Sequence, residues 1–499
     1  MSWFAWMSIM DRTITPVSAG PSSTRRKVRC EWYCLFVVVL TLLGLGLHLG
    51  SLDLSPAVWI DEVMILDYGR VLRYPDTDWS VTLAPNGLPA VPLSPLYCLA
   101  AWLWAEAGDG TILWVRLFPL ITSLLLFIVF FAFVRRIGIP LDQALLLSFA
   151  LWADIVIVGS FRGARADVAA ISLVFAGGVL ASKALASGSL RLAFVCGVAL
   201  ALSVLTWPTA VATMPIFLVL LEKPADIRRV AAISLSALVG AGLVVLSWYA
   251  YYSFQGFWDR LYTGPLSYAG ARFVSPWEIG KTVAVLYRFT PWIFLWFALG
   301  LFVQLVRKNF LLLISVLMSL AIMMCVPPFY RWRVVYLSPL LYIVAAKAFE
   351  QFSWHRYVLL VFCLLGLTVT VGGRFVSAMI EYSGRNYAAF ESALVPLVPN
   401  GSTVVSDDYT PYYVALNHGW KFYVGSQRDS EMPGKLYLLA GRRGTAERWA
   451  QKYELEHLGV ARTEGKQLRA QWRSSYCVDV YRVLGPRSGC IKVNERQQP

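Results

Sequence analysis

Apolar runs long enough to cross a bilayer recur along most of the chain, each closed by a short polar or basic link. The first runs from about Trp32 to Gly50, and others follow near 112–134, 143–160, 168–186, 191–206, 208–221, 230–252, 284–306, 310–326, 334–349 and 356–373. A membrane helix needs roughly 20 apolar residues, so this pattern predicts an all-α polytopic membrane protein of about eleven spans. Two stretches interrupt it. Residues 52–110 are polar and Pro-rich, and the tail from about 374 is charged and carries turn signals. Within the tail, "STVVSDD", "KLYLLAG" and "YCVDVYRVLG" read as strands and 444–458 as a helix, which predicts a small α/β domain.

Charge orients the pattern. With the N-terminus inside, the inner links carry Arg135-Arg136, Lys183 with Arg191, Arg228-Arg229, Arg307-Lys308, and Lys347 to Arg356. Every one holds Lys or Arg close to a span, as positive-inside orientation requires. Residues 1–32 are then a cytoplasmic tail, 33–373 the membrane domain with a first outer loop at 52–110, and 374–499 an extracytoplasmic domain. The basic flank "PSSTRRKVR" at 21–29 before a full-length apolar segment reads as a signal anchor, not a cleaved leader. Composition agrees, with 58% hydrophobic and 15% charged residues, against about 25% charge in soluble proteins. The net charge of +14 is explained by lysine and arginine facing anionic lipid and calls for no nucleic acid partner. Cys477 and Cys490 both lie in the polar tail, where an outer location would permit a disulfide.

The same topology gathers charges on the outer side at membrane level. Asp61 and Glu62 stand in "WIDE" just after the first span, and Arg162, Arg165 and Asp167 crowd the link "SFRGARADVAA". Arg331 and Arg333 lie in "PPFYRWRVVYLSP", while Lys281 and Arg288 flank a later span. Charges beside hydrocarbon are costly and are normally paired or functional. A carboxylate there can deprotonate an attacking hydroxyl, and arginines can hold phosphate oxygens. Bland alternatives stand beside this reading: Asp61-Glu62 as a helix-start cap, Arg165 and Asp167 as a structural ion pair, and Arg331 and Arg333 as snorkelling charges. Asp76-Thr77-Asp78 is a short DxD pattern and a minor candidate for a divalent metal. The four histidines form no zinc-ligand spacing.

The order of these features resembles the GT-C glycosyltransferases, in their branch related to dolichyl-phosphate-mannose–protein mannosyltransferases and aminoarabinose transferases (PMT/ArnT-like). The resemblance covers roughly 33–350 and is carried by "WIDE" at 59–62, "SPLYCLAAWLW" at 94–104, "VRLFPLITSLL" at 115–125, "ARAD" at 164–167, "RFTPWIFL" at 288–295 and "RVVYLSPL" at 333–340. It implies a polyprenyl-phosphate sugar donor and an inverting transfer to a hydroxyl of a lipid, glycan or protein acceptor on the extracytoplasmic face. It implies further that Asp61 is the catalytic acid, with Glu62 beside it. Asp167 would be the second loop acid with Arg165 as its neighbour, and Arg333 with Arg331 would meet the donor phosphate. A bacterial inner membrane with a periplasmic site is the setting it suggests. One departure is that Leu93-Ser94 precedes Pro95 where relatives often have His or Lys, so the cation or metal ligand sometimes supplied there is missing, and either Lys281 or an arginine substitutes or the enzyme works without a metal. A transporter or flippase of lipid-linked sugars is the rival class, although no internal repeat is visible.

Overall fold

The computed structural model describes residues 22–58, 60–74, 77, 79–81, 95–108, 110–222, 226–254, 284, 291–325, 331–352, 354–424, 436–441, 444–465 and 475–486, and within 22–30, 251–254, 324–325 and 331–333 the backbone alone. The apolar runs are helices: α1 (Ser22–Leu49), α4 (Ile112–Arg136), α5 (Leu141–Trp152), α6 (Ile155–Arg162), α7 (Asp167–Ser187), α8 (Leu190–Thr206), α9 (Ile227–Phe254), α10 (Pro291–Val306), α11 (Phe310–Cys325), α12 (Ser338–Phe349) and α13 (His355–Leu365). Between α1 and α4 lie α2 (Ile60–Arg73) and α3 (Pro95–Ala107), so the long connection between these helices is largely helical where it is described. After α13 a π-helical segment, Gly366–Gly372, leads into α14 (Gly373–Ile380). Among the described residues, five helices are long and apolar enough to span a membrane, a bent pair makes a sixth, and five further apolar helices are shorter. The protein is an integral membrane protein.

Where single α-helical spans were expected, local chemistry divides one and rewinds another. The run 143–160 is α5 and α6, inclined at 52°. Asp154 causes the break: it caps α6 by accepting from Val156 N at 2.8 Å, and Tyr342 Oη donates to its other oxygen at 3.1 Å. The run 208–221 is a 3-10 helix, Pro208–Glu222, with Pro215 inside it. A proline ring removes one donor and disfavours regular α winding. Close packing elsewhere depends on missing side chains. A Cβ on Gly197 would lie 1.8 Å from the Ala237 carbonyl oxygen, and one on Gly240 would lie 2.2 Å from that of Phe194. α8 and α9 therefore touch backbone to backbone, as small residues allow in membrane helix pairs.

The C-terminal part begins with α15 (Tyr382–Arg385) and α16 (Tyr387–Leu394), and continues β1 (Thr403–Ser406), α17 (Tyr412–Asn417), β2 (Lys421–Val424), β3 (Leu436–Ala440), α18 (Thr445–Ala450), β4 (Tyr453–Arg462), β5 (Cys477–Pro486). The sheet order is β2-β1-β3-β5-β4, with β1 parallel to β2 and β3 and β5 antiparallel to β3 and β4. Three of these strands match the expected ones. The helix expected over 444–458 stops at Ala450, and "YELEHLGVAR" pairs with β5 as β4, because its side chains broadly alternate between faces. Cys477 is an exposed free thiol, so the expected disulfide is absent at that residue, and Cys490 lies outside the described residues.

Two apolar cores organise the molecule. One fills the helical bundle around Phe130, Phe149, Trp152, Phe175 and Tyr342. The other is shared: Val63 and Leu66 of α2, Tyr97 and Ala101 of α3 and Val115 of α4 pack in one cluster with Tyr412, Phe422 and Val480 of the sheet region. The sheet is thus cemented to the helices that carry the candidate acids.

Candidate active site

Asp61 and Glu62 are adjacent in the first turn of α2, yet helical geometry sends them to different surroundings. Asp61 keeps a side-chain exposure of 34% and binds Arg165 Nη1 at 2.5 Å. The same guanidinium holds Asp167 Oδ2 through Nε at 2.7 Å, and Asp167 is almost wholly buried. Asp167 also accepts from Ser160 Oγ at 3.1 Å and from Tyr336 Oη at 2.8 Å. Arg165 therefore bridges two acids contributed by separate interhelical connections. Burial works against its charge, but Asp167 and Asp61 overcome that and raise its pKa above the usual arginine range. The link that carries it is strained: Ala164 has φ 53°, and its carbonyl accepts from Tyr97 Oη at 3.4 Å. A left-handed non-glycine residue costs on the order of 1–2 kcal/mol, and such strain collects at functional sites.

Glu62 is fully buried. It takes a bidentate pair from Arg116, at 3.0 Å to Nε and 2.8 Å to Nη2, and a hydrogen bond from Tyr413 Oη at 2.8 Å. One and a half turns along α2, buried Asp67 binds Arg70 at 2.9 Å and accepts from Tyr412 Oη at 3.3 Å and from Ser80 Oγ. Arg70 also lies over the Trp79 ring, 3.8 Å from its centroid. The strand of chain entering α2 is held from every side. Arg162 donates to the carbonyls of Ser51 and Ser55, Arg116 to those of Leu52 and Asp53, and Arg385 to that of Leu54. Three buried arginines from α4, α6 and α15 thus occupy every carbonyl from 51 to 55.

Of the residues expected from sequence, Asp61, Arg165 and Asp167 come together and Glu62 sits behind them. Lys281 lies outside the described residues, as do Arg288, Asp76 and Asp78 and the side chains of Arg331 and Arg333. Among the described residues no group of three or more His, Cys, Asp or Glu side chains could hold a metal ion. Asp61 and Asp167 meet on the Arg165 guanidinium. Residues that sequence reading passed over are Arg116, Asp67, Arg70, Tyr336, Tyr412, Tyr413 and Arg385. "VRLF" did place Arg116 at the start of a span, and an arginine there is itself a signal for a buried partner.

No family model matches the sequence, and no curated protein does so significantly. The fold is more informative. The crystal structure of ArnT from Cupriavidus metallidurans in the apo state superposes with a TM-score of 0.61 at 14% identity, covering 89% of this chain and 97% of ArnT. The chain has the GT-C fold. The same ArnT bound to undecaprenyl phosphate superposes with a TM-score of 0.60, again at 14% identity, over 89% of this chain and 98% of that one. A GT-C fold puts the cluster of Asp61, Arg165 and Asp167 in a membrane protein architecture rather than a soluble one. At this identity the likeness speaks for the fold alone.

Proposed function

We propose that the protein is a glycosyltransferase that moves a sugar from a polyprenyl phosphate to a hydroxyl acceptor, with inversion, at the extracytoplasmic face of a bacterial inner membrane. The observation that carries this reading is the cluster itself: a partly exposed carboxylate and a buried one sharing Arg165, on a GT-C fold. ArnT, with the same fold, binds undecaprenyl phosphate, which supports a lipid phosphate as the donor's carrier.

In the reaction an acceptor hydroxyl gives its proton to Asp61 as its oxygen attacks the anomeric carbon. The bond from that carbon to the phosphate oxygen breaks, and polyprenyl phosphate leaves with the electron pair, so that its phosphate goes from one negative charge to two. Arg165 helps stabilise that charge. The described cluster has two acids for one cation and repels a phosphate unaided, so further cations are required; Arg333, Arg331 and Lys281 are the proposed suppliers. Asp167, whose oxygens are already held by Ser160, Tyr336 and Arg165, orients Arg165. Glu62, saturated by Arg116 and Tyr413, acts as a positioning acid behind Asp61. In the same reading the helices complete about eleven crossings, and residues 374–499 form an outer domain.

The test is a panel of polyprenyl-phosphate sugars, radiolabelled in the sugar and reconstituted with the protein in vesicles. Label leaving the lipid and reaching an acceptor with inverted anomeric configuration is the expected result. Label crossing the bilayer while still on its lipid would overturn the reading in favour of a flippase.

A further inference from the structure

Tyr412 and Tyr413 are consecutive residues at the start of α17, yet their hydroxyls reach two different buried acids of α2. Tyr413 Oη donates to Glu62 at 2.8 Å and Tyr412 Oη to Asp67 at 3.3 Å. Each acid already has an arginine, Arg116 for Glu62 and Arg70 for Asp67. Charge balance therefore does not call for the tyrosines. What they add is direction, since a carboxylate has about four acceptor positions and a second donor from another element fixes its orientation. Both phenols are fully buried, and burial, reinforced by Glu62 and Asp67, pushes their pKa values well above the ordinary tyrosine range. They stay protonated donors across any assay pH. Trp79 packs edge-on against Tyr412, and Tyr387 against Tyr413, which leaves the two rings little room to turn.

The geometry points to Tyr413 as a positioning residue for Asp61, acting through Glu62, with Tyr412 as the second point of the same attachment: the C-terminal sheet region completes the site by holding the acid helix. Asp61 and Glu62 share one helical turn, so a rotation of α2 that releases Glu62 also swings Asp61 away from Arg165. The sheet region then has a task at the site whatever else it recognises. The rate consequence rests on the glycosyltransferase reading; the attachment does not.

Tyr413→Phe, Tyr412→Phe and the double variant test this, with Tyr481→Phe on β5, whose ring packs against a separate apolar cluster of Val405, Leu436 and Leu438, as the control. Tyr413→Phe is expected to fold, because Arg116 Nε still donates to the freed oxygen at 3.0 Å. A hydrogen bond to a charged group is worth about 10- to 100-fold in rate, so turnover should fall by about that factor, with KM for the donor lipid held within about twofold. Amide hydrogen exchange over residues 60–73 should accelerate in the double variant and not in Tyr481→Phe. Unchanged turnover together with unchanged exchange would overturn the inference. So would an equal loss in Tyr481→Phe, which marks general destabilisation. If the wild type transfers no sugar at all, the functional reading fails by itself, and exchange over α2 alone decides the attachment.

Discussion

A carboxylate that takes a proton from an incoming hydroxyl has to be reachable, and one that positions a neighbour has to be immobile. Asp61 and Glu62 divide these properties between them across a single peptide bond. The difference in burial comes from helix rotation alone: Asp61 faces Arg165 at the edge of the site, and Glu62 faces Arg116 in the shared core. Position in the sequence singled out Asp61, Arg165 and Asp167 as candidates, since each stands where a polar link meets an apolar run. It could not reveal Arg116 or Asp67, whose meaning comes from partners: Arg116 meets Glu62 54 positions away, and Tyr412 meets Asp67 345 positions away. Removing one member of a buried pair strands the other, at a cost of about 3–5 kcal/mol. Arg116→Ala should therefore lower the melting temperature in detergent markedly, with loss of activity following. A melting point unchanged from wild type would mean that the pair does not hold α2.

At the level of elements, the alternation of apolar runs and basic links defined most helices, but not where they break. Asp154 and Pro215 sit inside runs whose overall hydropathy hides them, and the shift from α18 to β4 hinges on partner strand β5 rather than on local propensity. α2 and α3 were hidden because they are short and set within a Pro-rich stretch. Their contact is tight: a Cβ on Gly69 would lie 2.1 Å from the Cys98 carbonyl oxygen and 2.6 Å from Trp102 Cβ. Backbone cannot yield as a flexible side chain can. Gly69→Val should push α2 off α3, costing about 1–3 kcal/mol of stability by overpacking and depressing transfer by displacing Asp61. Thermal melting and turnover measured together check this, and wild-type values for both would contradict it.

On the scale of the whole molecule, hydropathy was sufficient to suggest a polytopic membrane protein, the resemblance of its ordered motifs implied the GT-C fold, and the fold agrees. The joining of sheet and bundle was not legible, because a shared core between residues near 60 and residues near 410 leaves no periodic trace in either segment. The outer placement of the C-terminal region is testable through its exposed thiol. In a variant retaining Cys477 alone, a membrane-impermeant maleimide should label intact, right-side-out vesicles. Burial and the nearby Asp479 raise this thiol's pKa, so labelling should quicken as pH rises through and above the ordinary thiol range. Labelling only after the vesicles are opened would reverse the assigned topology. The central claim, that Asp61 serves as the base in sugar transfer, is tested most directly by Asp61→Asn in reconstituted vesicles with a labelled polyprenyl-phosphate sugar that the wild type consumes. The account predicts a loss of turnover of about 10²- to 10⁴-fold in a protein that melts like the wild type, whereas full turnover in that folded variant would contradict it.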